Sequence, residues 1–166
     1  MIASRNASTS LLLGLSLAIS LGVATAQDKK DGPKLKLSED EKTLLDLTNK
    51  AREDKKLAPL VPNVALFQVA RAHSANMAKK NEMAHELDGK NPAQRARAAG
   101  YNFRHVGENV GWSDGAPVAE VFKWWMDSEE HRKNLLNPDF REIGLGIARS
   151  EKGEYYYTQL FGTRKK

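Results

Sequence analysis

The side chains in this sequence that can bind a metal ion or move a proton near neutral pH are four histidines and a larger set of carboxylates. Because the chain has no cysteine, thiol nucleophiles, disulfides and cysteine-ligated zinc are excluded. Three residues stand out by their surroundings: His73, Glu108 and His131. We interpret the other two histidines, His85 and His105, as structural or exposed, because they lie in loop or edge contexts.

His73 lies inside an amphipathic pattern. Apolar residues stand at i, i+3 and i+4 of this pattern and His73 stands at i+7, which predicts a helix and places the His73 ring on its inward face. Two interpretations follow. The residue is either a core histidine satisfied by polar neighbours, or a metal ligand or acid–base group on the floor of a cavity. The stripe consists of Leu66, Val69, Ala70, His73, Met77 and Lys80.

Glu108 is the second candidate and lies between Gly107 and Asn109. A glycine beside an inward carboxylate lets another backbone come close, and a buried carboxylate needs a partner. The alternative is a solvated surface glutamate, and the spacing does not distinguish the two.

His131 is the third candidate. Ser128, three residues earlier, is predicted to cap a short helix through its hydroxyl group and so to hold His131 in a fixed position. Glu129 and Glu130 fall in the first turn of this helix, where acids are favourable on dipole grounds, and we assign both to solvent.

A histidine, a glutamate and a second histidine from three separate segments would suit a divalent ion such as zinc, as a His₂Glu set. No local spacing such as HExxH supports this metal hypothesis. A serine hydrolase is not supported, because Ser74 points about 100° away from His73 on a helix. There is also no G-x-S-x-G motif, and Ser128 lacks the strand–turn–helix context.

The elements that must position these residues can be predicted from local signals. A capping box at Ser38 predicts a helix to about residue 54, Asn63 caps a second helix to about residue 83, and Asn91-Pro92 opens a third that ends near Gly100. A strand in the latter half of 101–110, a helix from Pro117 and a hairpin over 143–161 follow. This order predicts an α+β domain whose helices cover a small, largely antiparallel sheet.

The first 26 residues have the form of a secretory signal peptide. Arg5 precedes an apolar run over 11–23, and Ala24-Thr25-Ala26 forms a small-residue cleavage site. The run is short and interrupted for a membrane span, so a retained anchor is the weaker alternative. We expect a flexible linker over 27–37 and one domain over 38–166, with no transmembrane span in the mature chain.

The charge of the chain is modestly positive. The net charge is +5. The basic runs lie near the two ends of the mature chain, and elsewhere lysines alternate with glutamates in the manner of a solvated surface. Nucleic acid is therefore not expected as the partner of this exported protein.

Eight short motifs follow one another across about residues 40–163 without a missing block. Together they resemble the bacterial branch of the CAP superfamily, the SCP-like extracellular proteins. Five of the motifs are Thr48-Asn49-x-Ala51-Arg52, His73-Ser74-x-x-Met77-Ala78, Gly107-Glu108-Asn109-Val110, Trp125-Met126-x-Ser128-x-x-His131-Arg132 and Tyr157-Thr158-Gln159-x-Phe161-Gly162.

The resemblance implies an α-β-α sandwich with a central cavity, lined in eukaryotic members by two histidines and two glutamates that can hold a divalent ion. His73 and Glu108 stand at the first histidine and the first glutamate of that set. Ser128 stands at the second glutamate and Tyr156 at the second histidine, so this chain departs from the family pattern at both. His131 is expected to supply the second imidazole from another segment.

The resemblance also implies a secreted, non-catalytic module whose His/Glu cavity takes a divalent metal ion, such as zinc, or a small ligand. One alternative is a metal-dependent hydrolase of protease or esterase type, with Glu108 as general base to a metal-bound water. Another is a protein that binds the cell envelope through its positive charge. The extracellular or envelope ligand is not identified by the sequence.

Overall fold

The computed structural model describes residues 35–165, so the predicted signal peptide and most of the predicted linker lie outside the described residues. Five helices and four strands follow one another in the order below. The elements are α1 (Glu39–Asp54), β1 (Val61–Pro62), α2 (Val64–Lys80), α3 (Pro92–Ala98), β2 (Phe103–Ser113), α4 (Val118–Asp127), α5 (Glu129–Leu135), β3 (Glu142–Arg149) and β4 (Tyr155–Arg164).

The four strands form one sheet in the order β1-β3-β4-β2. β4 pairs antiparallel with both β2 and β3, and the two-residue β1 pairs parallel with β3. The predicted α+β class and largely antiparallel sheet are therefore confirmed. β1 was not predicted, because two residues beside a proline carry no strand pattern, and β2 extends beyond its predicted end because its register with β4 continues to Ser113.

Helices cover both faces of the sheet. α2 lies directly on β3: a Cβ atom on Gly144 would come within 2.0 Å of the Leu66 carbonyl carbon, and one on Gly146 within 2.3 Å of that of Ala70. On the opposite face, Trp125 of α4 lies against Gly111. The small residues that alternate along β3 are thus the reason that α2 can approach closely, and the chain forms the α-β-α sandwich that the family resemblance implied.

The predicted N-terminal helix caps are confirmed at three helices. Ser38 and Glu41 form a complete capping box at α1, Asn91 and Gln94 form one at α3, and Asn63 accepts from the backbone of Leu66 at α2. α2 ends three residues before its predicted end, because Asn81 turns to a left-handed conformation with φ 50°.

The prediction for Ser128 is wrong in its chemistry. Ser128 is the N-cap residue of α5, but its side chain makes no capping hydrogen bond. Its hydroxyl oxygen instead lies 2.8 Å from Nδ1 of His131. The hydroxyl group therefore contacts and orients the His131 imidazole instead of capping a backbone N–H.

The last residues of the predicted linker belong to the packed domain. Leu35 and Leu37 pack against the main hydrophobic core, and Arg71 Nη2 donates to the Lys36 carbonyl oxygen at 2.7 Å. The linker prediction rested on the charged residues and the Gly-Pro pair that precede these leucines. It did not include the two leucines' packing, because no local pattern indicates that packing. No helix in residues 35–165 is long and apolar enough to cross a membrane.

β2 is an edge strand, and side chains of α4 and α5 satisfy part of its outer backbone. Asn134 Nδ2 donates to the Glu108 carbonyl oxygen at 3.1 Å, and Trp125 Nε1 donates to that of Val110 at 2.9 Å. Covering the edge in this way blocks pairing with another strand. It also fixes α5, which carries His131, beside the part of β2 that carries Glu108.

Candidate functional site

Glu108 is the charged centre of the candidate site. Its side chain is 1% exposed, and each carboxylate oxygen has a partner. Oε1 lies 2.9 Å from His85 Nδ1, and Oε2 accepts from Arg95 Nη2 at 2.6 Å. Burying a carboxylate without a counter-charge is very costly, so Arg95 is what allows Glu108 to lie inside the domain.

His73 lies beside this ion pair and faces inward, as predicted; its side chain is 1% exposed. Its Nε2 atom is 2.9 Å from the Ala84 carbonyl oxygen and 3.9 Å from Glu108 Oε1. A carbonyl oxygen only accepts, so Nε2 carries the hydrogen in the neutral ring and Nδ1 holds a lone pair. That Nδ1 atom is buried and has no hydrogen-bond partner among the described residues.

The electrostatic environment keeps His73 uncharged. Burial lowers the pKa of His73; Glu108 opposes this, while Arg95 and His85 add to the decrease. The neutral imidazole therefore offers an acceptor, not a second donor, to anything that reaches Nδ1.

Arg95 joins the site to the loop that follows α2. Its Nη1 atom donates to the carbonyl oxygens of His85 at 2.9 Å and Lys90 at 2.6 Å, while Nη2 holds Glu108. The remaining donor, Nε, is buried and has no partner within residues 35–165. Two buried polar atoms of opposite kind, an acceptor on His73 and a donor on Arg95, are thus both unsatisfied.

The loop over 81–90 carries His85 to Glu108. Leu87 of this loop packs with Met77 and Val110, and Asp88 Oδ1 forms a salt bridge with Lys80 Nζ of α2 at 2.7 Å. The interpretation of His85 as structural or exposed missed its role, because a residue 54% exposed in a loop carries no pattern that links it to Glu108.

His131 lies on the other side of the β2 edge. Its Nδ1 atom contacts the Ser128 hydroxyl, and its ring centroid is 6.5 Å from that of Trp125. Burial lowers the pKa of His131, and charge on His85 lowers it further. His85 therefore couples electrostatically to both His131 and His73. Glu129 and Glu130 are exposed, as expected.

Tyr156 lines a different pocket from the one that His73 and Arg95 line. Its ring is buried with Met77 and Val110, and its hydroxyl donates to Glu154 Oε2 at 3.2 Å. The structure thus brings together His73 and Glu108, and separately Ser128 and His131, with His85 and Arg95 as the site residues that the sequence did not reveal.

The residues as placed do not match a metal centre. Within residues 35–165, no group of three or more histidines, aspartates or glutamates is arranged to hold a metal ion. Both Glu108 oxygens are engaged, one of them by a guanidinium that a divalent cation would have to displace. The metal expected at His73, Glu108 and His131 therefore stays a prediction.

A groove opens between α2 and α3, next to this cluster. It has a volume of about 440 Å³, and both His73 and Arg95 contribute to its lining. Most of the remaining surface is apolar, including Val69, Ala72 and Leu87. Small-molecule sites in proteins commonly combine such an apolar wall with a few polar groups at one place.

Helices cover both faces of a small sheet, and His73 of α2 and Glu108 of β2 are buried beside each other between them, so the class of protein is an α-β-α sandwich domain. The cysteine-rich secretory protein (CAP) family model matches residues 45–161. The chain belongs to this family, although it has no cysteine.

Several relatives are known. YkwD of Bacillus subtilis, described as an uncharacterized protein, is 37% identical over 123 residues, which cover 74% of this chain and 47% of the relative. YlbC of the same organism, described as an uncharacterized membrane protein, is 36% identical over 124 residues, covering 73% of this chain and 34% of the relative. This chain thus spans less than half the length of these two relatives.

Two solved structures support the fold. An outer surface protein from Borrelia burgdorferi superposes with a TM-score of 0.73 at 25% identity, covering 79% of this chain and 97% of that one. An extracellular protein containing an SCP domain from Bacillus anthracis superposes with a TM-score of 0.66 at 30% identity, covering 79% of this chain and 45% of that one.

Proposed function

We propose that this protein is a secreted, non-catalytic CAP module that binds a small neutral ligand in the groove between α2 and α3. Secretion is supported by the signal-peptide pattern and by neighbours described as extracellular or outer surface proteins. The observation that carries the ligand proposal is the pair of unsatisfied buried atoms, His73 Nδ1 and Arg95 Nε, in residues that line the groove.

The chemistry of the two atoms suggests what the ligand presents. His73 Nδ1 needs a donor and Arg95 Nε needs an acceptor, and one hydroxyl group can act as both. An unsatisfied buried polar atom costs about 1–3 kcal/mol, so a ligand that completes both would gain affinity from relieving that cost.

The charges argue for a neutral ligand. The Arg95 cation is already paired with Glu108, and Asp88 in the groove lining is paired with Lys80, while Lys90, the remaining charged residue of the lining, is exposed to solvent. The apolar wall then favours a compact hydrocarbon body behind the hydroxyl group, because burying such a body stabilises the complex by about 25 cal/mol per Å².

The test uses cyclohexanol and benzyl alcohol as probes, with toluene as the analogue that lacks the hydroxyl group. In the purified, ¹⁵N-histidine-labelled protein, we expect either alcohol to shift the His73 Nδ1 resonance in a saturable way and toluene to bind at least tenfold more weakly. Ala72→Trp, an exposed groove position, should block the effect.

Ala75→Trp is the matched control, because Ala75 is exposed on the same helix but does not line this groove. Equal binding by the Ala72 and Ala75 variants would show that the groove is not the site. The absence of any saturable shift with both alcohols would contradict the proposal itself.

A divalent metal ion is the second candidate, favoured by the free lone pair on the neutral His73 ring. Zn²⁺ would have to take Glu108 from Arg95, so we expect weaker zinc binding than a dedicated three-ligand site gives. Titration calorimetry on the wild type and on the His73→Ala, His131→Ala double variant decides it. Equal, negligible binding by both proteins would end this candidate.

A further inference from the structure

A second pocket lies at the C-terminal end of α2, away from the Glu108 cluster. It has a volume of about 320 Å³ and is lined by Asn81, Met83, Trp112, Lys152, Glu154 and Tyr156. We propose that this pocket binds a saccharide, with the sugar ring stacked on the indole of Trp112. This inference goes beyond the proposed groove ligand and stands independently of it.

Trp112 is the platform of the pocket. It is 42% exposed although it lies on β2, where it pairs across the ladder with Tyr156. Tyr156 is buried and its hydroxyl donates to Glu154, so the cross-strand neighbour of Trp112 is held in place by packing and by this hydrogen bond. A rigid aromatic surface on a strand loses little conformational entropy on binding.

The rim of the pocket supplies hydrogen-bonding groups of both kinds. The Glu154 carboxylate accepts, the Lys152 ammonium donates, and the Asn81 amide does both. A sugar has the complementary form, with an apolar C–H face and a ring of hydroxyl groups that donate and accept. The formal charges of Lys152 and Glu154 cancel, which suits a neutral saccharide.

A quaternary ammonium ligand also stacks on tryptophan, but the pocket is less suited to it. Cages for such cations surround the charge with several aromatic faces. Here the Tyr156 ring is buried, which leaves one exposed aromatic face, and Lys152 in the rim repels a cation.

The loop over 81–90 connects this pocket to the Glu108 cluster. Met83 lines the pocket, the next residue, Ala84, accepts from His73, and His85 contacts Glu108. A saccharide that moves Met83 would therefore perturb the His85 resonance, which gives a second readout at a residue outside the pocket lining.

The experiment titrates the purified protein with N-acetylglucosamine trisaccharide, cellotriose and maltotriose, and separately with choline chloride, by isothermal calorimetry. We expect saturable binding of at least one saccharide. Trp112→Ala should weaken it at least tenfold, and Trp112→Phe should retain part of it. Trp124→Ala is the matched control, because Trp124 is also exposed but lies on α4, outside this pocket.

Three outcomes would overturn the proposal: no saturable binding of any of the three saccharides, binding of choline alone, or an equal loss in the Trp112→Ala and Trp124→Ala variants. If circular dichroism shows that Trp112→Ala does not fold, Glu154→Gln and Lys152→Met take its place. Their surface positions leave the core intact, and unchanged saccharide affinity in both would count against the pocket.

Discussion

Two of the buried polar centres in residues 35–165 each contain an arginine, and they differ in how completely their hydrogen bonds are satisfied. The first is Arg52 on α1, whose side chain is fully buried. All three of its nitrogen atoms donate, and every acceptor is a backbone carbonyl oxygen. The acceptors belong to Ala58, Leu135, Asn137 and Phe140.

The second centre is the Glu108 cluster. Here Arg95 and His73 each keep one buried atom without a partner among residues 35–165, and His85, which completes the set, is half exposed. The first centre ties α1 to the end of α5 and to the chain that follows it, while the second borders an open groove. A satisfied buried cation such as Arg52 fixes the scaffold, whereas the incomplete one at Arg95 is where the proposed ligand would find its hydrogen-bond partners.

Removing the Arg52 side chain should produce the largest loss of stability. Arg52→Met keeps an apolar stem of similar length but leaves four carbonyl oxygens without their donor. We expect the free energy of unfolding to fall by about 3 kcal/mol, measured by urea denaturation. The His73 resonances of the folded fraction should not change, because the two centres share no residue.

Lys50→Met on the same helix is the control, because Lys50 is exposed and its ion pairs with Glu53 and Asp54 are screened by solvent, so the free energy of unfolding should hardly change. An Arg52→Met protein as stable as this control would remove the distinction between a scaffold centre and a site centre.

Lowering the pH should reduce the stability of the domain through His73 of the second centre and through His131. Burial lowers the pKa of His73 and of His131, so the unfolded chain takes up protons at a higher pH than the folded chain does. Stability from these histidines is complete above about pH 6.5 and is lost as the pH falls below it, by at most about 1.4 kcal/mol per pH unit for each ring. Denaturation midpoints between pH 7.5 and 5 measure the loss.

The groups that face His73 are Glu108, Arg95 and His85, and their balance sets how far its pKa falls. His73→Gln should flatten the pH dependence relative to the wild type, since glutamine does not titrate. A wild-type protein whose stability does not change over this range would show that neither the buried His73 ring nor the half-buried His131 ring resists protonation.

Truncating His85 should have the smallest effect on stability and a specific one on its neighbours. The His85 side chain is half exposed, so its contact with Glu108 contributes less than about 1 kcal/mol. His85→Ala removes a charge that lowers the pKa of His73 and of His131, so both pKa values should rise in an NMR titration. In the matched variant His105→Ala, both should stay unchanged.

Much of the fold could be predicted because it depends on local signals. The capping boxes at Ser38 and Asn91 act within a few residues of themselves. The small residues Gly144 and Gly146 show in the local alternation of β3, although the helix that packs on them, α2, lies far away in the sequence. The two-residue β1 could not be predicted, because it exists only where β3 passes beside it.

The candidate site was predictable only in part. The inward position of His73 follows from helical periodicity, and Glu108 could be singled out by its glycine neighbour. His85 and Arg95 could not be found, because their roles depend on a loop and a short helix that bring distant residues to one carboxylate. The hydroxyl group of Ser128 was misassigned because a serine at this position can either cap the helix or bond to His131, and the sequence does not distinguish the two.

The sequence by itself determined the family, the order of most of the helices and strands and the inward face of α2, since each depends on residue types at fixed spacing. Only the tertiary structure decided which groups meet at Glu108 and which buried atoms of the described residues remain without partners. It also placed the exposed Trp112 in a pocket. The physical reason is that hydrogen bonding and burial at these positions are set by segments far apart in the chain, whose approach no local pattern records.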